Sequence, residues 1–304
     1  MADIRYTLTK EDENLYIKEL LRRRLLFSSR LVRKIKVEGE VFLNDKPAKL
    51  MYKGKEGDVL RAVYPEEESY FEPQNIPVEI PYEDDDLLIV NKPAGLIVHP
   101  TKNFQDGTLA NAIAWHIRER GDSYKLRFVN RLDMYTSGLV IVAKNAHCQD
   151  FLSHEMDADR VIKKYLAVVN GKVSEDGTVD APIDKDPDHV ARRIVTPDGY
   201  PSVTHYKVLE NFGDAYTLLE LKLDTGRTHQ IRVHMTHIGH PIAGDELYGP
   251  VCGYDELPED MPRQALHAAH LEFTHPVSGK TVAVDAPLPK DMEAFLTRVR
   301  REWT

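Results

Sequence analysis

Only two cysteines, Cys148 and Cys252, occur in 304 residues. They lie far apart without metal-ligand spacing, which excludes a disulfide framework and a thiolate zinc site; both read as reduced thiols. No stretch approaches the ~20 continuous apolar residues of a membrane helix. The opening Met1-Ala2-Asp3-Ile4-Arg5-Tyr6 lacks the apolar core of a signal peptide. The expectation is a cytoplasmic protein away from the membrane. Excess positive charge is also missing: 40 Lys and Arg against 49 Asp and Glu give a net −9. Taken alone, that argues against a nucleic-acid partner, because phosphate binding is mainly electrostatic. The 42% apolar content suits one large domain plus a small one.

The average hides a cluster. From Lys18 to Lys36 the chain carries Lys18, Arg22, Arg23, Arg24, Arg30, Arg33, Lys34 and Lys36 against the single acid Glu19. The acidic excess sits elsewhere, in Glu66-Glu67-Glu68, in Glu83 to Asp86 and around Asp255 to Asp260. Leu15, Leu20, Leu21, Leu25 and Leu26 predict an amphipathic helix over 14–27 with a cationic wet face. Ser28 or Ser29 caps a second helix, with Leu31 and Ile35 facing the first and Gly39 ending it. Short strands around Val41-Phe42-Leu43 and 57–63 complete a unit spanning 1–64. Residues 65–77, acidic and broken by proline, read as a linker, and a second domain fills 78–304.

In that domain Leu87 to Val90 predicts a buried strand and Asn91-Lys92-Pro93-Ala94-Gly95 a turn. Thr108 caps a helix that Gly121 stops. Asn130-Arg131-Leu132-Asp133-Met134-Tyr135-Thr136-Ser137-Gly138 leads into the β-branched run Leu139 to Ala143, which places Asp133 in a loop at the mouth of a core strand. Such an acid either hydrogen-bonds its own turn or, held by a rigid scaffold, works in a cleft. Lys163 to Gly171 predicts a strand, and 181–201 a long surface hairpin carrying Arg192-Arg193. Strand patterning resumes at Val203 to Tyr206 and Tyr216 to Leu223. In Asp224-Thr225-Gly226-Arg227-Thr228-His229-Gln230-Ile231-Arg232 a turn feeds a helix, with Arg227 at its anion-attracting start and Ile231, Met235 and Ile238 on one face.

His229, His234, His237 and His240 lack a His-Glu-x-x-His pattern or a cysteine pair, so no metal is expected. Ser137 lacks the Gly-x-Ser-x-Gly elbow of a serine hydrolase.

Arg131-Leu132-Asp133-x-x-Thr136-Ser137-Gly138-Leu139 resembles the active-site signature of the RluA-type pseudouridine synthases. Three further stretches match in family order: Lys163 to Gly171, Asp224 to Arg232, and Pro241 to Gly249 with Arg263 to Ala268. The N-terminal unit resembles the S4 RNA-binding domain, through Ser29-Arg30 to Lys34 and Glu38-Gly39 to Pro47. The resemblance implies an α+β fold of mixed, largely antiparallel sheets with flanking helices and a central cleft. It implies an isomerase that breaks the C1′–N1 bond of uridine in RNA, turns the uracil and joins C1′ to C5.

By that resemblance Asp133 is the catalytic carboxylate, either attacking C1′ or taking a ribose proton. Arg227 would pair with it, and Tyr165 would stack on the uracil and place its hydroxyl near C5, where a base must take a proton. Arg131, Asn130, Thr228 and His229 become substrate-binding residues. Lys18, Arg22, Arg23, Arg30, Arg33 and Lys34 become the RNA-contacting cations, whose alternative is a solvated helix face. Asn130 stands where the family commonly has histidine. No cofactor is needed, since nothing is oxidised or hydrolysed. The expected partner is ribosomal RNA ahead of transfer RNA, met by a monomer, and the alternative is a non-catalytic RNA-binding or ribosome-assembly protein.

Overall fold

A computed structural model describes residues 2–64, 70–102 and 104–303. Its N-terminal part has β1 (Ala2–Thr7), α1 (Ile17–Arg23), α2 (Ser29–Glu38), β2 (Glu40–Leu43), β3 (Lys46–Pro47) and β4 (Val59–Tyr64), with the sheet ordered β1-β4-β2-β3. The Ser28 hydroxyl accepts from Leu31 N and starts α2. The helix expected over 14–27 shrinks to Ile17–Arg23, because Leu26 turns the chain through a left-handed conformation, φ 51°, and drops Phe27 into the core. Ile17, Leu20, Leu21, Leu31 and Ile35 close this core against Leu60 and Ala62.

The larger part comprises β5 (Glu79–Glu83), β6 (Leu87–Lys92), α3 (Leu109–Arg120), β7 (Arg127–Phe128), β8 (Ser137–Ala143), α4 (Ala146–Asp157), β9 (Ile162–Asn170), β10 (Gly177–Asp180), β11 (Ile183–Lys185), β12 (Arg193–Val195), β13 (Val203–Phe212), β14 (Tyr216–Leu223), α5 (Gln230–His237), β15 (Leu266–Thr274), β16 (Thr281–Asp285) and α6 (Lys290–Trp303). One sheet runs β10-β13-β14-β9-β15-β8-β6-β5, with β16 beside β15 and β7 beside β8. All its pairings are antiparallel except β15 with β8. That parallel contact is close: a Cβ on Gly138, at φ 114°, would sit 2.2 Å from Ala268 O. Alternate residues of β6 and β8 feed opposite faces. Leu88, Val90, Val140 and Val142 join the large core with α3, while Leu87, Ile89, Leu139 and Ile141 pack with Cys148 and Leu152 of α4. The expected surface hairpin is β11 paired with β12.

Of the stretch read as a linker, residues 65–69 lie outside the described residues. From Phe71 to Ile76 the chain lies on the large core, with Asn111 Nδ2 donating to Glu72 O at 2.9 Å. The N-terminal part meets α4 through the Phe27 ring 5.0 Å from that of His147, Ser28 N donating to the Asp150 carboxylate at 2.9 Å, and the Tyr64 hydroxyl at 3.4 Å from Asn145 Oδ1.

Candidate active site

The Asp133 loop is fixed through its backbone. Thr136 N donates to Asp133 O at 3.1 Å, and Gly95 N donates to Met134 O at 2.9 Å. Lys92 Nζ also donates to Met134 O, at 3.0 Å, and Arg263 Nη1 donates to Tyr135 O at 3.0 Å. Lys92 is fully buried and gives its other protons to Pro93 O and Leu96 O at 3.0 and 2.9 Å. Arg263 holds Asp291 at the start of α6 with two bonds of 2.6 and 2.9 Å. Two buried basic side chains therefore grip successive carbonyls, one from β6 and one tied to α6, and the Asp133 side chain is left 27% exposed in the cleft.

Three groups face it. Arg232 Nη1 comes within 3.5 Å of Asp133 Oδ2, while Nε and Nη2 of the same guanidinium fork onto Asp245 at 2.6 and 2.8 Å. Asp245 is anchored in turn by Leu247 N and Tyr248 N, both at 3.1 Å. His229 Nε2 lies 3.9 Å from Asp133 Oδ2, and its Nδ1 lies 3.0 Å from the Tyr248 hydroxyl. That hydroxyl also accepts Arg193 N–H at 2.8 Å. Burial lowers the His229 pKa against the pull of Asp133. Tyr165, on β9, lines the same cavity of about 60 Å³; burial first, then the Asp133 charge, raises its phenol pKa, so it stays protonated at neutral pH.

Two expectations change. Arg227 does not pair with Asp133; Arg232 does. The helix begins at Gln230, leaving Arg227 in the preceding turn, exposed, with Nε 3.4 Å from Pro201 O and its guanidinium 5.6 Å from the Tyr200 ring centre. Arg232 falls on the helix face that carries Ile231 and Met235 inward. Asn130 points at the protein and not at the cleft: its Oδ1 accepts from Ile141 N at 2.7 Å and its Nδ2 donates to Leu139 O at 3.3 Å, pinning the loop to β8. Arg131 Nη2 donates to the Thr228 hydroxyl at 3.0 Å across the cleft rim.

Several residues of this site escaped the sequence reading. Lys92 belongs to β6 and not to a turn, and the alternation Leu88, Val90, Lys92 on the core-facing side was the available signal. Asp245, Tyr248, Arg263 and Asp291 carry no local signal of their own. The histidines do not assemble: His234 is engaged by Thr204 Oγ1 and Ala181 O, and His240 by Asn170 O. A separate group, Asp84, Asp86 and His275, lies before β6, at the opposite end of that strand from Lys92. There Asp84 is already engaged by Tyr82, His275 and the amides of Asp86 and Leu87.

The RNA pseudouridylate synthase family profile matches residues 86–237, which contain Asp133, Tyr165 and Arg232. Over 281 residues, 90% of this chain and 85% of the other, the sequence is 40% identical to the ribosomal large subunit pseudouridine synthase D of Escherichia coli strain K12. The chain belongs to the RNA pseudouridylate synthase family. The synthase of the same name from Nitrosomonas europaea is 47% identical over 228 residues, 74% of this chain and 66% of that one. The uncharacterized RNA pseudouridine synthase YlyB of Bacillus subtilis is 43% identical, covering 87% of each chain. Human RNA Pseudouridylate Synthase Domain Containing 1 matches in structure with a TM-score of 0.58 and 28% identity, covering 76% of this chain and 98% of that one. As an RNA pseudouridine synthase the protein is an isomerase of uridine, and the mixed, largely antiparallel sheet with flanking helices is the fold of that family.

Proposed function

We propose that this synthase isomerises uridine in large-subunit ribosomal RNA and that Asp133 is the carboxylate acting at C1′. One observation carries the residue assignment: the loop backbone is immobilised by Lys92 and Arg263 while the carboxylate itself opens on a cavity shared with Tyr165 and faced by Arg232. Arg232 sets a positive charge 3.5 Å from the carboxylate. Tyr165 serves as the platform for the uracil; a phenol held protonated is a poor base at C5. Arg131, Arg227, Thr228 and His229 ring the cleft and take the ribose and phosphates around the flipped nucleotide.

The names of the relatives favour ribosomal RNA. Arg22, Arg23, Arg30 and Arg33 are exposed on α1 and α2, with Lys18 and Lys34 half-buried beside them, an arrangement suited to a phosphate backbone. On this reading residues 1–64 are an RNA-binding unit preceding a catalytic domain, and the enzyme works in the cytoplasm as a monomer.

The test is tritium release from unmodified ribosomal and transfer RNA carrying 5-tritiated uridine. Wild-type protein releases tritium from ribosomal RNA, and Asp133→Asn binds that RNA without releasing any. Near-normal release by the variant sinks the assignment of Asp133. Release from transfer RNA alone sinks the substrate.

A further inference from the structure

The cavity holding Asp133 and Tyr165 is small, about 60 Å³, and it adjoins a chamber of about 540 Å³. Arg131, Tyr165, Leu223 and Arg227 line both; of the two, Asp133 lines only the first. The chamber is within the size range of small-ligand sites. One of its walls is Phe128, with the His99 ring set edge-on at 4.4 Å, and α4 adds Met156.

Lys163 also lines the chamber. It is only 9% exposed, the carboxylates of Asp159 and Asp224 attract it, and among the described residues its ammonium makes no hydrogen bond. A lysine brings three donors and no acceptor, so Lys163 can donate to a hydrogen-bond acceptor that enters the chamber. Lys163 lies two residues before Tyr165 on β9, and the two are buried on the same face of the strand, about 7 Å apart along it. A group bound at Lys163 is therefore one extended nucleotide step from a base lying on Tyr165. The helix that forms part of the chamber also touches the N-terminal part: Asp150 of α4 accepts from Ser28 N, and Met156 follows about 9 Å further along the helix.

We propose that this chamber receives the base of a nucleotide adjacent to the target uridine, with Phe128 as its stacking wall, Lys163 donating to an acceptor on the base edge, and Arg131 and Arg227 holding the phosphate between the two nucleotides. The proposal rests on the reading of the Asp133 cavity as the uridine site. It makes the recognised element two splayed nucleotides, and so favours loops and junctions, where the neighbour is already unstacked, over regular stems.

The experiment replaces the nucleotide on either side of the target uridine, one at a time, with an abasic residue and measures kcat/KM by tritium release for wild type, Phe128→Ala and Lys163→Met. On one flank the abasic RNA lowers the wild-type value about tenfold, within the worth of one stacked base. Both variants show a loss of that order on intact RNA and no further loss on the abasic RNA, where they equal wild type; that equality also demonstrates that they are folded. Insensitivity of wild type at both flanks, or an abasic penalty equally large in the two variants, overturns the chamber assignment while leaving the uridine site standing. No release by wild type from intact RNA, or normal release by Asp133→Asn, overturns the uridine site itself and the chamber with it.

Discussion

Replacing Lys92 with methionine keeps the length of the side chain and removes its charge and donors. Burial brings the ammonium pKa down from 10.5 to about 7, against the opposing attraction of Asp133. The folded protein thus releases this proton near pH 7, whereas the unfolded chain keeps it to about pH 10.5. Between those values the unfolded state holds more protons, so the contribution of Lys92 to stability rises with pH across that window. Below pH 7 the buried charge costs on the order of 5 kcal/mol, offset by the carbonyls of Pro93, Leu96 and Met134 that it satisfies. Methionine abolishes the charge penalty and strips Pro93 O and Leu96 O of that donor, each about 1–3 kcal/mol. The two effects nearly cancel at pH 6. From pH 6 to pH 9 wild type gains about 3 kcal/mol relative to Lys92→Met, by the same linkage. Urea unfolding of both proteins at the two pH values measures it, since other titrating groups cancel in the difference. Parallel stability profiles would refute the reasoning. Because Met134 O also loses a clamp, kcat falls in the variant with KM for RNA unchanged.

Asp245→Asn leaves the Arg232 fork buried without its counter-charge and lowers unfolding free energy by about 3–5 kcal/mol; a loss under 1 kcal/mol in urea would contradict the pairing. Asn130→Ala removes two bonds to β8 and costs about 1–3 kcal/mol, while RNA affinity measured by filter binding stays at the wild-type level. A fall in affinity with unchanged stability would restore Asn130 as an RNA contact. Arg227→Ala raises KM with kcat held, and flattens the salt dependence of binding by about one phosphate contact. Arg232→Lys loses the fork onto Asp245 and lowers kcat. Steady-state kinetics that swap these two patterns would return Arg227 to Asp133.

What the sequence disclosed was local. The β-branched run of β8 and the Thr108 and Gly121 limits of α3 each depend on neighbours within a few residues, and each stands as expected. The pairing of Asp133 depends instead on which arginine of Arg227-Thr228-His229-Gln230-Ile231-Arg232 turns inward. That is decided by where the helix starts, and the start is set by His229 in a left-handed conformation, φ 59°, which sequence does not announce in a non-glycine residue. β1 was missed because its alternation carries Asp3 and Arg5 outward with little more than Ile4 to bury. Arg263 and Asp291 meet across 28 positions and Lys92 and Met134 across 42; such pairs exist only once the sheet has brought β6, β8 and α6 together.

The geometry around Asp133 also leaves its carboxylate oxygens largely free. A guanidinium engaging it with its whole fork would occupy both oxygens, which in the proposed reaction must reach the ribose. Here the fork belongs to Asp245, whose Oδ1 is also held by two backbone amides, and Arg232 offers Asp133 a single nitrogen at 3.5 Å against 2.6 and 2.8 Å on Asp245. The attraction of a full positive charge remains while the lone pairs stay available on the Tyr165 side. Orientation is supplied separately, by Lys92 and Arg263 acting on the backbone. Dividing the two tasks among three basic side chains lets the loop be rigid without the carboxylate being tied down, and it places the hold on Arg232 in Asp245, a residue that does not line the cavity shared by Asp133 and Tyr165.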